Sequence, residues 1–186
     1  SKTFQIEKIL PLIEHGHVNF GENKVQEALE KWTEVKSKNS NIKLHMIGKL
    51  QTNKVKFAVK LFDFIHSVDS EKLAKKIADE QIKVNKKIKI FIQVNIGSED
   101  QKSGIKKNDI SGLVSYCKKI NLDVIGLMCI PPINSNNEKY YEEMQLLNKN
   151  FSFRELSMGM SSDYLKASEN SATYLRIGSS IFGQRF

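Results

Sequence analysis

The sequence predicts an α/β fold, a parallel β-sheet with helices packed outside it. Three observations lead there. Short runs rich in β-branched and aromatic residues alternate with longer amphipathic runs, the pattern of parallel strands joined by crossover helices. Seven strand-like runs recur, near residues 18, 44, 65, 91, 125, 156 and 175. The 186 residues are 40% hydrophobic and 27% charged with 3 Pro and 10 Gly, enough apolar material for one core and a composition that excludes disorder or a collagen-like chain. The spacing suits a (β/α)₈ barrel or a doubly wound open sheet. A barrel usually needs about 250 residues. The first helix begins almost at once, so in a barrel the strand feeding it would lie upstream of Ser1.

Residues 4–15 place Ile6, Ile9, Leu10 and Ile13 at helical spacing. Residues 18–20 read as a short strand, and residues 24–36 put Val25, Ala28, Leu29 and Trp32 on one helical face. Residues 43–47 form a strand, 53–62 a helix and 64–68 another strand. Ser70 is suited to cap a helix running to residue 84, because its hydroxyl can accept an unsatisfied first-turn N–H; Leu73, Ile77, Ala78 and Ile82 would face inward. Residues 88–96 read as a strand. Residues 109–120 form a helix with Ile110, Leu113, Val114 and Cys117 on its apolar face. Residues 122–128 make a strand stopped by Pro131-Pro132, and residues 134–137 a loop. A helix over 138–151, a short strand at 155–157, a short helix at 163–170 and a last strand at 173–177 follow, before residues 179–186 open a final helix. All of residues 1–186 read as a single domain.

Composition narrows function mainly by exclusion. No apolar run reaches the ~18 residues of a membrane span. Ser1-Lys2-Thr3-Phe4 has no signal-peptide architecture. Cys117 and Cys129 are too few for a disulfide framework or a four-cysteine zinc site, and the simplest setting is a reduced cytoplasm. The net charge of +8 invites a nucleic-acid partner, yet only Arg154, Arg176 and Arg185 of the 29 basic residues are arginine. Lysine, asparagine and isoleucine share A/T-rich codons, and no basic stretch is interleaved with aromatics. No nucleic-acid partner is therefore expected. No GxxxxGK[ST] and no GxGxxG is present, which argues against ATP, GTP and NAD by their usual routes. His15, His17, His45 and His66 form no HExxH, and His45 and His66 fall in different strands, so no metal site is expected.

Chemistry concentrates in three glycine-containing loops expected after strands: Phe20-Gly21-Glu22-Asn23, Ser157-Met158-Gly159-Met160-Ser161 and Arg176-Ile177-Gly178-Ser179-Ser180. Ligands of parallel α/β folds sit where strands end and helices begin, and backbone N–H groups with the helix dipole hold a phosphate there. The last two loops would follow strands seven and eight of a barrel, the usual phosphate site, with Ser161, Gly178 and Ser179 as donors. The alternative is that each glycine only permits a tight turn. Arg176 is the one arginine expected in the barrel interior, where a guanidinium needs an acceptor, from a structural salt bridge or from a ligand.

Seven segments then add up: Ser1-Lys2-Thr3; Phe20-Gly21-Glu22-Asn23-Lys24-Val25-Gln26-Glu27; His45-Met46-Ile47-Gly48-Lys49-Leu50-Gln51-Thr52-Asn53-Lys54; Lys102-Ser103-Gly104; Gly126-Leu127-Met128-Cys129-Ile130-Pro131; Leu156-Ser157-Met158-Gly159-Met160-Ser161; and Arg176-Ile177-Gly178-Ser179-Ser180-Ile181-Phe182-Gly183. In this order, and jointly, they resemble the YggS/PROSC family of pyridoxal 5′-phosphate (PLP) homeostasis proteins, itself similar to the N-terminal barrel domain of alanine racemase. The resemblance implies a PLP-binding TIM-type (β/α)₈ barrel lacking the N-terminal helix and most of strand 1. It implies that Lys2 forms the Schiff base with the cofactor, that Arg176 faces the pyridine nitrogen, that Ser161, Gly178 and Ser179 cradle the phosphate, and that Asn23 lies nearby in the pocket. It also implies an intracellular carrier and buffer of PLP, a cytoplasmic monomer meeting PLP-dependent apo-enzymes, with no membrane partner and no strong catalysis. A guanidinium at the pyridine nitrogen disfavours its protonation and so weakens the ring as an electron sink. The alternatives are a weak amino-acid racemase and a truncated barrel that binds no cofactor.

Two departures from the family pattern carry expectations of their own. The chain as given starts at Ser1, so Lys2 is expected on a frayed end and the barrel unclosed between its second and eighth strands. Lys24 stands where many relatives have an aromatic residue and Lys49 where several have proline, changes expected at the pocket rim.

Overall fold

The computed structural model describes residues 1–99, 101–132 and 137–183. Helices and strands alternate as the hydrophobic periods require: α1 (Ile6–Glu14), β1 (Asn19–Glu22), α2 (Val25–Lys38), β2 (Lys43–Met46), α3 (Val55–Leu61), β3 (Phe64–Val68), α4 (Glu71–Lys83), β4 (Lys89–Val94), α5 (Ile110–Lys119), β5 (Asp123–Cys129), α6 (Asn137–Asn150), β6 (Glu155–Met160), α7 (Tyr164–Glu169), β7 (Tyr174–Arg176) and α8 (Ser179–Phe182). The expected loop at 134–137 begins outside the described residues, and its last member, Asn137, opens α6. The final helix ends at Phe182, and residues 184–186 lie outside the described residues.

All seven strands are parallel and lie in sequence order, β1 to β7, in one sheet. A doubly wound sheet reverses its strand order at a switch point. Here there is no reversal, so the arrangement is that of a barrel. Among the described residues no pairing joins β1 to β7, and these two strands are the edges.

Strand alternation sorts side chains into two cores. Phe20, Leu44, Ile65, Ile90, Ile92, Leu127 and Leu156 point outward, into a buried cluster with Trp32, Phe62, Ile77 and Tyr141 from beneath and between the helices. Phe64, Phe91 and Met128 point inward and form a separate cluster with Ile125 and Tyr174 packed against it. His45 stacks on Phe64 and His66 on Phe91, each with ring centroids 4.2 Å apart. The barrel interior thus holds a layer of stacked rings.

Local rules explain most boundaries. Ser70 caps α4 as expected, its side chain accepting from the Leu73 N–H. Ile82 is a correction: it is 76% exposed. It lies nine residues beyond Leu73, which is two and a half turns and therefore the opposite helical face. Gln81 is buried instead, and its Oε1 accepts from the Ile88 N–H at 3.3 Å. Strand β6 continues past residue 157 to Met160, so Gly159, like Gly21, lies in a strand and not in a loop. Gly159 has φ +87°, and a Cβ there would lie 2.5 Å from the Cβ of Ala167. A Cβ at Gly21 would lie 2.9 Å from Ile47 Cδ1. Close packing and backbone conformation account for Gly159, whereas at Gly21 only the movable end of the Ile47 side chain stands in the way.

Candidate functional site

A cavity of about 1070 Å³ opens inside the barrel and includes residues at the carboxyl ends of the strands. Lys2, Asn23, Ser161, Arg176, Gly178 and Ser179 all line it. They come from widely separated stretches of chain, and the parallel strand order brings them to one end of the sheet.

Arg176 closes β7 and reaches inward. Its Nη1 donates to Ser157 Oγ at 2.8 Å and its Nη2 to the Cys129 carbonyl at 2.7 Å. Both acceptors are neutral, and among the described residues no carboxylate pairs with Arg176, so the structural salt bridge is not the arrangement found. Burial nudges its proton affinity down, but a guanidinium stays charged at any ordinary pH. Burial pushes the thiol of Cys129 up to about 12, so it is no nucleophile.

Ser161 ties the end of β6 to the turn after β7. Its Oγ accepts from the Gly178 N–H at 3.1 Å and the Ser180 N–H at 3.4 Å. The Gly178 N–H is thus engaged by the Ser161 hydroxyl. A Cβ built at Gly178 meets nothing within 4 Å, so open space stands before this backbone. That is a glycine unexplained by packing, unlike Gly159.

The frayed end expected at Lys2 is not what the structure has. Ser1 Oγ lies 2.7 Å from Glu22 Oε1, and the Ser1 carbonyl accepts from Lys31 Nζ at 3.0 Å. Glu22 is fully buried, and the same Oε1 also accepts from Lys31 Nζ at 3.0 Å and Trp32 Nε1 at 2.9 Å. This cluster docks Ser1 against β1 and α2 and leaves Lys2 half-buried on the cavity wall. Asn23 sits just after β1, where a Cβ on Gly48 would lie 2.3 Å from the Asn23 carbonyl oxygen. Gly48 thus permits the Asn23 backbone its approach. Of the two lysines expected at the rim, Lys49 lines the cavity, whereas Lys24 faces solvent beside Glu27.

The sequence reading missed the interior polar groups. His45 and His66 lie on adjacent strands with Nδ1 of one 3.0 Å from Nε2 of the other. His66 Nδ1 is 2.9 Å from Ser157 Oγ, and His45 Nε2 is 3.1 Å from Asn19 Oδ1. Burial holds His45 down to about 4 and His66 well below the usual range. Both are neutral at pH 7. Tyr174 also lines the cavity and packs edge-on against Phe91. The missing signal was strand parity: residues 45 and 66 both occupy inward positions of neighbouring strands. Among the described residues no group of three or more His, Cys, Asp and Glu is arranged to hold a metal ion.

Residues 2–185 match the family described as alanine racemase, N-terminal domain. A pyridoxal phosphate homeostasis protein of Aquifex aeolicus is 37% identical over 195 residues, which cover 100% of this chain and 85% of that one. The protein of the same name from Vibrio alginolyticus is 36% identical over 100% of this chain and 84% of its own. The structure of PipY from Synechococcus elongatus with PLP bound superposes with a TM-score of 0.91 at 30% identity, covering 98% of this chain and 90% of PipY. An alanine racemase of Clostridium difficile shares the fold at a TM-score of 0.72 and 14% identity, over 97% of this chain and 48% of the enzyme.

Proposed function

Because the chain belongs to the alanine racemase N-terminal domain family, in its YggS/PROSC branch of pyridoxal phosphate homeostasis proteins, we propose that it binds PLP and acts in PLP homeostasis as a carrier or buffer without strong catalysis. The observation that supports this best is the convergence of Lys2, Asn23, Ser161, Arg176, Gly178 and Ser179 on one cavity.

The donor set fits the cofactor. Lys2 would supply the amine that attaches its aldehyde carbon. Arg176 would face the ring nitrogen. Ser161, Gly178 and Ser179 would hold the phosphate, in the open space that a side chain at Gly178 would fill. When bound, PLP supplies a reactive aldehyde and an electron-withdrawing ring. Arg176 is a donor only and permanently charged, so it would oppose protonation of the nitrogen it faces. Such a site retains PLP and damps carbanion chemistry. Nearby, Asn23 would bound the pocket. In this reading the protein works as a cytoplasmic monomer and passes PLP to dependent apo-enzymes.

The test is an absorption titration of the full chain with PLP, beside Lys2→Ala. The reading expects a visible band that saturates in the parent protein, is lost in the variant, and is weakened by inorganic phosphate. Amino acids added to the saturated protein should exchange their α-proton slowly or not at all. An identical band in Lys2→Ala, or rapid exchange, would count against it.

A further inference from the structure

A directed chain of hydrogen bonds runs behind Arg176, and its direction can be read atom by atom. Arginine only donates. Ser157 Oγ therefore accepts from Nη1, at 2.8 Å. At the far end Asn19 Oδ1 only accepts, so His45 Nε2, 3.1 Å away, donates to it and the Nδ1 of a neutral His45 is bare. His66 Nε2, 3.0 Å from that bare nitrogen, then carries the His66 proton, which leaves His66 Nδ1 bare. The Ser157 hydroxyl, 2.9 Å away, donates to it. One assignment of protons satisfies every link, and no carboxylate takes part.

The rings that form the chain are fixed by packing. His45 is 4% and His66 1% exposed, and each is stacked face to face on a phenylalanine. Tyr174 packs against both histidines at 5.5 and 5.8 Å. Rotating either imidazole would disturb the aromatic layer and strand its nitrogens without partners.

We propose that His66, backed by His45, is a positioning residue for Arg176: through the Ser157 hydroxyl it fixes where the guanidinium points without placing a carboxylate in hydrogen-bond contact with it. A carboxylate in the place of Ser157 would orient the guanidinium as well, but would cancel much of its field. A neutral relay orients without cancelling. The consequence rests on the reading that Arg176 faces the ring nitrogen of bound PLP. A guanidinium held there by neutral partners opposes protonation of that nitrogen, so the relay sets the electronic character of the site through Arg176.

The relay is tested first in the full chain without added cofactor, by side-chain nitrogen NMR. His45 and His66 should both appear as neutral rings with a bare Nδ1 between about pH 8 and 5.5. The guanidinium signals of Arg176 should be resolved and slow to rotate, and should collapse in Ser157→Ala and in His66→Phe. The second variant keeps a ring on Phe91 and loses only the hydrogen bonds, and the first guards against a folding defect at position 66. A bare Nε2 on either histidine, or unchanged Arg176 signals in both variants, overturns the proposal. With PLP added, His66→Phe should bind about tenfold more weakly, the effect of about 1.4 kcal/mol. Ser157→Asp should shift the bound ring nitrogen toward its protonated form, a change that a merely structural role would not produce. Failure of the parent protein to take up PLP would sink the proposed function while the cofactor-free spectra still decide the relay.

Discussion

A methyl group added at Gly159 would lie 2.5 Å from the Ala167 Cβ on a backbone with φ +87°, whereas the same methyl at Gly178 would meet nothing within 4 Å. The two glycines therefore separate structure from binding. Gly159→Ala should destabilise by about 2 kcal/mol, through strain and overpacking. Gly178→Val should change stability by less than about 1 kcal/mol yet lower PLP uptake, and urea unfolding beside a PLP titration checks both. Glu22 is the buried acceptor for Trp32 and Lys31 and a neighbour of Ser1. Lys31 is only 10% exposed, so Glu22→Gln leaves its ammonium poorly paired and should cost about 3 kcal/mol. The same change should loosen the segment carrying Lys2, which limited proteolysis would detect. His45 titrates near 4 in the folded protein against an ordinary 6.5. Between those values the unfolded chain binds a proton that the folded chain refuses, so stability falls as pH drops through that window. The slope approaches about 1.4 kcal/mol per pH unit for each such histidine, and urea midpoints at about pH 7 and pH 5 measure it.

For helices and strands, the sequence was legible wherever one period dominated. Strand β3 (Phe64–Val68) and the Ser70 cap matched because a short run led by Phe64-Ile65 and ended by Val68, and a serine before an amphipathic stretch, each admit one reading. Ser70→Ala should cost about 1 kcal/mol, since it leaves a first-turn N–H without its acceptor. Ile82 departs from its expected inward place because helical angle, not side-chain type, sets its face. β6 was read short because Gly159 resembles a turn residue, while its positive φ bends a strand that continues. The candidate site divides the same way. Ser161, Gly178 and Ser179 were legible as a glycine–serine turn after a strand. Lys2 was legible only through family resemblance, being one of many lysines. The histidine relay was not legible at all, because it depends on strand register: His45 pairs with Phe64 and its neighbour Met46 with Ile65.

The sheet order answers a question that local patterns left open. A sequential parallel order converges every strand end on one cavity, whereas a doubly wound sheet would have split these residues across a switch point. Strands β3 and β4 are flanked on both sides and almost wholly buried, while among the described residues β1 and β7 are edges. Amide hydrogen exchange should therefore be slowest in β4 and fastest in β7, with bound PLP slowing β7 and the turn at Gly178 most. The central claim is that this convergence makes a PLP site anchored on Lys2. It is tested most directly by adding PLP to the full chain, reducing with borohydride and mapping the labelled peptides. A single pyridoxyl mass on the peptide containing Lys2, lost in Lys2→Ala and diminished in Gly178→Val, is the expected outcome. Label spread over exposed lysines, or none, would mean that the cavity does not hold the cofactor through Lys2.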